Sequence, residues 1–471
     1  MNRFPFTLLF SVLALAGWSQ SRNVWWAWGR DSMNVPVWLH HSNSLPPAFV
    51  PAAFNYTSDF KHCAIGSLAD TDGVLQLSTG NAGVLRNSSG VQVAGAGWPL
   101  ATTRAVGLVL PVHGTSKVSA FQTASVTTGA APMVLAAWEV DLLGNNGAGS
   151  LSQPGPLVLA DSLRPHIAAT LVPQSLDYWV IVADHLLRRI LAFRTGPGGT
   201  DTIPVVSATG VLESTLGYSD NMVLNAQGTM IATRSLDTDR IYLFSFDPID
   251  GTASLFAEFV DEFGAGGLEF SPNGQFLYSI RVPAFDQVEY VQWDLSSNDP
   301  QTIYDSANVV HVEQVPGGML VPWPRLGPDG CIHVPVAFEH HYTSILMPDL
   351  AGPACQVVSA YIDLPGSWMD GRTTNQCKRY HDSELDLSVA DRGPVPVELD
   401  LWPNPTSGLL NLPAEPAWVR AQVYDLRGRS VLDRTGRQAT LDVAALAPGA
   451  YTLMLRDPLG RAVARGTFVR E

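Results

Sequence analysis

One local shape recurs through the middle of this chain: a tight turn ending in glycine, followed by a β-rich run. It appears as Asp70-Thr71-Asp72-Gly73 before V-L-Q-L, as Asn225-Ala226-Gln227-Gly228 before T-M-I-A-T, as Ser271-Pro272-Asn273-Gly274 before Q-F-L-Y-S-I, and as Gly327-Pro328-Asp329-Gly330 before C-I-H-V-P-V. After two of these, a second apolar run ends at an aspartate, Ile241 to Asp247 and Tyr290 to Asp294. The turn glycines at 228, 274 and 330 lie 46 and 56 residues apart. That interval is near the length of one four-stranded blade of a closed, radially repeated sheet structure. Glycine closes each turn because it alone enters the left-handed region without a steric cost, so the turn joins the two innermost strands.

Long helical periodicity is nearly absent; short apolar runs alternate with Gly, Pro, Asn and Asp, which reads as all-β. Setting aside a leader and a C-terminal segment leaves about 375 residues, too many for one simple sandwich and typical of a closed repeat. The expected fold is a β-propeller of six or seven blades. The seventh would form where N-terminal strands pair with C-terminal ones. The formal net charge is −15, yet residues 398–471 hold nine Arg against eight Asp plus Glu, so the acidity lies in the rest. An acidic surface argues against nucleic acid and anionic membranes as partners. No stretch after the N-terminus is apolar enough to be a transmembrane helix. Four cysteines, Cys63, Cys331, Cys355 and Cys377, contain no C-x-x-C pair, which is wrong for structural zinc and compatible with disulfides in an oxidising compartment. Cys355 and Cys377, 22 residues apart near the end of the repeats, are the expected disulfide, closing the last blade.

S-P-N-G-Q-F-L-Y (Ser271 to Tyr278) resembles the repeat of YVTN-type and WD-like β-propellers. W-W-A-W-G (Trp25 to Gly29), C-A-I-G-S-L-A-D-T-D-G-V-L (Cys63 to Leu75), D-Y-W-V-I (Asp177 to Ile181) and G-P-D-G-C-I-H-V with A-G-P-A-C (Ala351 to Cys355) are similar to secreted Bacteroidota propeller proteins. The resemblance covers about Asn23 to Gln376. Cys331 stands where a basic residue is usual, and the segment after Leu364-Pro365 departs from the usual ending.

The last seventy or so residues have their own pattern. Val419, Ala421 and Val423 alternate with Arg420, Gln422 and Tyr424, and Tyr451, Leu453 and Leu455 alternate with Thr452, Met454 and Arg456. Both are strands with one buried face. Asn404-Pro405 and Arg427-Gly428 supply turns, and about seven short strands suggest a small Ig-like β-sandwich. Four motifs stand here in order: L-D-L-W-P-N-P-T-S-G (Leu399 to Gly408), V-Y-D-L-R-G-R (Val423 to Arg429), L-D-V-A-A-L-A-P-G-A-Y-T-L (Leu441 to Leu453) and R-G-T-F-V-R-E (Arg465 to Glu471). Together they resemble the type A sorting domain of the Bacteroidota type IX secretion system. The resemblance implies that Pro403, Asn404, Pro405, Gly408, Tyr424, Asp425, Gly428, Leu446, Pro448, Gly449 and Tyr451 form the sorting motif, with the secretion machinery as partner. Asn2-Arg3, the apolar run Phe4 to Ala16 and the small-residue site Ala14-Leu15-Ala16 read as a signal peptide over 1–19. The expected layout is therefore signal 1–19, propeller 23–376, linker 377–397 around Pro394 and Pro396, and sorting domain 398–471. The protein would pass through the periplasm and be secreted or held on the outer cell surface.

The chemistry-bearing residues are few. Neighbours on a strand face opposite ways, so His40-His41 and His340-His341 cannot chelate as pairs, and Glu339 with His341 gives only two ligands. Asp184-His185 reads as the hydrogen-bonded turn of a blade. Asp70-x-Asp72-Gly73 lacks the further oxygen ligands of a calcium loop, and Asp261-Glu262 reads as a solvated loop. G-x-S-x-G, H-E-x-x-H and a phosphate-binding glycine loop are all missing. No catalytic, cofactor-binding or metal set is expected. The Asp-Ser/Thr-apolar triplets at Asp31, Asp161, Asp201 and Asp305 resemble the O-glycosylation acceptor of exported Bacteroidota proteins. Trp25, Trp26 and Trp28 read as blade packing. Two functions remain: a non-catalytic propeller that binds extracellular glycan or protein for adhesion, or an enzyme of lactonase or polysaccharide-lyase type with ionisable groups in the central funnel.

Overall fold

The structure is a computed structural model. It describes residues 25–31, 36–40, 48–51, 66–69, 75–80, 84–97, 105–125, 132–211, 221–235, 238–315, 323–327, 329–336, 341–363, 367–368, 377, 397–399, 401–412, 418–424, 430–436, 438–456 and 462–471. The chain divides into two compact units, 1–386 and 387–471.

Seven sheets make up the described part of the first unit, each antiparallel and, apart from blade 1, built in chain order from the inside outwards. Blade 1 contains Trp25–Asp31, Pro36–His40 and Ala48–Pro51, and its innermost strand is Ser367–Trp368 from the far end of the unit. The pairs Arg30↔Trp368 and Asp31↔Ser367 close the ring. Blade 2 contains Ser67–Ala69, Leu75–Thr79 and Leu85–Asn87. Blade 3 runs from Ala105–Pro111 to Leu157–Leu163, blade 4 from Ala168–Leu171 to Val205–Ala208, and blade 5 from Met222–Leu224 to Ala253–Val260. Blade 6 runs from Gly264–Phe270 to Asn308–Gln314, and blade 7 from Arg325–Leu326 to Val357–Asp363. This is a β-propeller, and its blade 1 is assembled from both ends of the unit.

The repeated glycine turn lies where the spacing places it, between the first and second strands of blades 5, 6 and 7. Gly228, Gly274 and Gly330 have φ of 71°, 75° and 78°, and their N–H groups donate to the carbonyls of Asn225, Ser271 and Gly327. Strands in the blade interiors lack simple alternation because a blade is packed on both faces. Tyr178–Ala183 is buried at every position. One apolar cluster spans blades 2 to 4, a second blades 4 and 5, a third blades 5 and 6, and a fourth blades 6 and 7.

The second unit is a β-sandwich. Its five-stranded sheet orders Val397–Glu398, Ala462–Arg470, Gly449–Arg456, Arg420–Tyr424 and Ser430–Thr435, and Leu409–Asn411 pairs with Thr440–Asp442 in the other sheet. Ala421, Val423, Tyr451, Leu453 and Leu455 are buried in a core of their own, as the alternation requires. Val419 departs from the pattern. It precedes the strand, its carbonyl accepts from the Gly436 N–H, and its side chain is exposed.

The cysteine expectation needs correction. Cys355 and Cys377 are both buried free thiols. Cys355 packs with the apolar residues of blades 6 and 7, whereas Cys377 packs in the blade 2–4 cluster and its Sγ donates to Ala169 O at 3.3 Å. Two thiols held in different clusters cannot bridge, because a disulfide needs Cβ atoms about 4 Å apart. The segment 1–19, most of 377–397 and the turn at Asp70 to Gly73 lie outside the described residues.

Candidate functional site

The innermost strands of a propeller surround its axis, so residues entering those strands define the centre. Trp323 precedes the first strand of blade 7 and is buried. It packs on Val106 of blade 3 and meets the His166 ring edge-on at 4.7 Å, at the entry to blade 4. A Cβ on Gly267 of blade 6 would lie 3.1 Å from Trp323 Cα and 2.8 Å from Asn221 Nδ2. A side chain that starts in the seventh blade and meets the third and the entry to the fourth lies across the axis. At that level the centre is filled by an aromatic ring.

Polar groups gather around it. Arg164 and His166 stand just before the first strand of blade 4, and Trp323 and Arg325 at the start of blade 7. Arg164, His166 and Arg325 are all buried. Burial pulls the Arg325 guanidinium below its usual range, opposed by the charge of Glu269. Glu269 is fully buried, and its carboxylate accepts from the Phe270 N–H at 3.0 Å and the Leu326 N–H at 3.1 Å, tying blade 6 to blade 7. Asn221 ties blade 5 to blade 6. Its Nδ2 donates to Leu268 O at 3.0 Å and its Oδ1 accepts from the Leu268 N–H at 2.9 Å.

Three further polar clusters lie inside the blades. Asp261, expected as a solvated loop residue, is wholly buried and is gripped by Arg234 and Arg281. Arg234, itself 1% exposed, also donates to Gly266 O at 2.7 Å and Ile280 O at 3.0 Å. Glu313 accepts from Tyr290 Oη and Thr343 Oγ1, each at 2.7 Å, with His341 Nε2 3.5 Å away. Burial pushes the Glu313 carboxyl up, but the bonds from His341, Tyr290 and Thr343 outweigh it and hold it below the usual carboxylate range. Third, His333 contacts Asp329 Oδ2 at 2.9 Å through Nε2 and Ser344 Oγ at 2.8 Å through Nδ1. Acid, imidazole and hydroxyl in line is the order of a hydrolytic triad. Here both His333 and Ser344 are fully buried inside blade 7, so no substrate carbonyl reaches the hydroxyl. The cluster holds the blade together.

The remaining sequence candidates have plain positions. Asp184 caps a turn, accepting from Arg188 N–H and Arg189 Nε, and His185 Nδ1 lies 3.0 Å from Ser162 O. His341 belongs to the Glu313 cluster, while Glu339, His340 and His41 lie outside the described residues. Among the described residues no three of His, Cys, Asp and Glu gather as a metal site. Of the Asp-Ser/Thr-apolar triplets, Asp201-Thr202-Ile203 is exposed throughout. Sequence reasoning missed Glu269, Glu313 and Trp323 and misread Asp261 as solvated. Only the i, i+4 spacing of Asp329 and His333 carried a local signal.

In the second unit, motif residues far apart in sequence meet. Asn404 Nδ2 donates to Thr467 O at 3.1 Å and its Oδ1 accepts from the Val469 N–H at 2.9 Å. The Thr406 N–H donates to Val469 O, and the Glu471 N–H to Thr406 O. Arg470 donates to the carbonyls of Val443 and Ala444, and Tyr451 Oη donates to Ala447 O at 2.8 Å. The Gly408 carbonyl accepts from the Val443 N–H, and the Leu446 N–H closes a turn on Val443 O. Three of the four motifs therefore form one connected end of the sandwich. Tyr424 Oη donates to Gln422 instead, and Asp425 and Gly428 lie outside the described residues. Pro403, Pro405 and Pro448 are exposed beside this end, next to Gly449 at the start of its strand.

Residues 400–465 match the family of secretion system C-terminal sorting domains. This segment is similar to those sorting domains. No curated protein matches the chain in sequence. Among solved structures, the chain is similar to a candidate 6-phosphogluconolactonase from Bacteroides uniformis, at 12% identity over 74% of this chain and 98% of that one, with a TM-score of 0.46. A periplasmic gluconolactonase from Pseudomonas aeruginosa gives 14% identity, coverage of 74% and 98%, and a TM-score of 0.42. A protein from Desulfotomaculum acetoxidans gives 9%, 76% and 99%, and 0.44. Likeness at this level carries no activity across. The described residues include no helix long and apolar enough to cross a membrane.

Proposed function

We propose that this protein is exported by a type IX secretion system, as in Bacteroidota, and works outside the cell as a binding propeller. Export rests on the sorting-domain match at 400–465 and on the separate core of that unit. A domain with its own core can be recognised without disturbing its neighbour. In this reading residues 23–376 are the working part, 377–397 the linker and 398–471 the address. The protein is released or retained on the surface in an adhesion-type role, with an extracellular glycan or protein as ligand.

Binding is favoured over catalysis by the state of the buried carboxylates. A general base must reach a substrate proton. Glu269 and Asp261 are fully buried and engaged by backbone N–H groups and arginines that fasten blades. The second reading, a lactonase or polysaccharide lyase, draws on the three basic side chains Arg164, His166 and Arg325 near the axis. Two assays on the purified full chain separate them. A glycan array should give ligands, while sugar lactones and uronate polysaccharides should show no turnover. Turnover that is lost in His166→Ala would replace the binding reading with the enzymatic one.

A further inference from the structure

In a ring of up-and-down blades, the connections from the outermost strand of one blade to the innermost strand of the next all lie at one end. Arg164 and His166 stand in the connection from blade 3 to blade 4, and Trp323 in the one from blade 6 to blade 7. From blade 5 to blade 6, between Ala253–Val260 and Gly264–Phe270, the connection is only Asp261, Glu262 and Phe263. Phe263 therefore stands directly before an innermost strand, at the end of the ring that carries the buried basic groups. Its backbone conformation is costly. The Gly264 N–H donates to Asp261 O at 2.9 Å, closing a tight turn whose third residue is Phe263, with φ of 62°. Glycine is the residue such a position favours, because a Cβ strains the left-handed region. Leu187 shares the strain, with φ of 54°, but is fully buried in a core that offsets it. Phe263 is 58% exposed. The turn is nevertheless held firmly, since Phe263 O accepts from the Val282 N–H at 2.8 Å and Asp261 is gripped by Arg234 and Arg281. Strain kept in place to display an aromatic ring points to a contact with something outside the chain.

The neighbours say what kind of contact. Glu262 beside it is exposed, and Arg281, paired with Gly264 across the ladder, keeps 18% of its side chain exposed. An aromatic face edged by an acceptor and a cationic donor suits a pyranose ring, which has an apolar C–H face and hydroxyls around its rim. The core of a protein interface is broader and depleted of charge. We infer that Phe263 is the platform on which the propeller stacks a sugar ring of its extracellular ligand, with Glu262 and Arg281 placed to bond the hydroxyls. This rests on the binding reading above and makes the ligand a glycan.

The test runs the full chain through native gels containing mixed-linkage β-glucan, xylan or polygalacturonate, and retardation gives the affinity. The parent should be retarded by at least one of them. Phe263→Gly should weaken that binding at least about tenfold, the loss expected of one anchoring aromatic. Its melting temperature should stay within about two degrees of the parent or rise, because glycine adopts the same φ without strain. Phe263→Trp, which keeps an aromatic face, should retain binding. Ile249 is 72% exposed at the opposite end of the strand Ala253–Val260, and Ile249→Ser should change nothing. Retardation of Phe263→Gly equal to the parent's overturns the inference while leaving the binding reading intact. A larger fall in its melting temperature also overturns it, because the ring would then be serving the fold. A parent retarded by none of the three polysaccharides removes the glycan reading itself, and this inference with it.

Discussion

Replacing Asp261 by alanine should be among the most damaging single changes in the propeller. The carboxylate is wholly buried between two guanidinium groups whose exposures differ, 1% for Arg234 and 18% for Arg281. Arg281 lies over the Trp293 ring at 5.4 Å and is near enough to solvent to rehydrate, so its loss of a partner costs little. Arg234 has no such escape. It keeps its bonds to Gly266 O and Ile280 O but loses the buried Asp261 carboxylate while staying buried itself. Breaking a buried ion pair from one side costs about 3–5 kcal/mol. Asp261→Asn, which keeps an acceptor, should cost less. Removing both charges in Asp261→Ala with Arg234→Met should recover much of the loss, because the penalty lies in the cation left buried. Denaturant unfolding of the full chain, followed by tryptophan fluorescence, measures each term. A cost below about 1 kcal/mol for Asp261→Ala, or simple additivity in the double variant, would refute the account.

Glu313 has its folded carboxyl held below the ordinary 4.5, so its cluster stabilises the propeller above that value and the contribution is lost as pH falls through the lower folded value. Glu313→Gln should flatten the pH dependence of the melting temperature below about pH 4.5, and an unchanged slope would count against the cluster. Trp323→Ala should open a cavity on the axis and cost about 3–5 kcal/mol in denaturant unfolding. Cys331, Cys355 and Cys377 should resist thiol reagents in the native chain and react after denaturation. Burial pushes the Cys331 thiol up to about 12, and non-reducing mass mapping that links Cys355 to Cys377 would contradict the structure. Deleting 387–471 should leave the propeller's melting temperature within a few degrees of the parent, as seen by calorimetry.

The repeat was legible because its signal is local. A turn that needs positive φ marks itself with glycine within four residues, and Gly228, Gly274 and Gly330 all do so. The sandwich was legible for the same reason, through alternation at Ala421, Val423, Leu453 and Leu455. The centre was not. Asn221 meets Leu268 47 residues away, Glu269 meets Leu326 57 away, and Arg234 meets Asp261 27 away. None of these partners is specified by a pattern inside one blade. Asp261-Glu262 therefore read as a solvated loop, because two adjacent acids usually are one and the burying arginines lie on other strands. The cysteine pairing failed likewise: sequence proximity placed Cys355 and Cys377 near one seam, while packing sends them to different ones.

Those long-range bonds also explain how a ring of apolar blades keeps one register. Apolar seams are non-directional, so a neighbouring blade could slide along them at modest cost. A polar group that must be satisfied when buried removes that freedom. Every seam from blade 2 to blade 7 carries one. Gln122 Nε2 donates to Gly80 O, Thr123 Oγ1 to Pro165 O, Trp179 Nε1 to Pro248 O, Asn221 brackets Leu268, and Glu269 receives Leu326. Asn221 and Glu269 stand on or beside the innermost strands, at the level where Trp323 crosses the axis. The most tightly specified part of the ring is therefore the part surrounding Arg164, His166 and Arg325. A binding centre gains affinity when its groups are held in place before the ligand arrives, since less ordering remains to be done on binding. The same arrangement leaves the buried carboxylates little freedom to move a proton. The bonds that fix the centre are thus consistent with the binding reading proposed above.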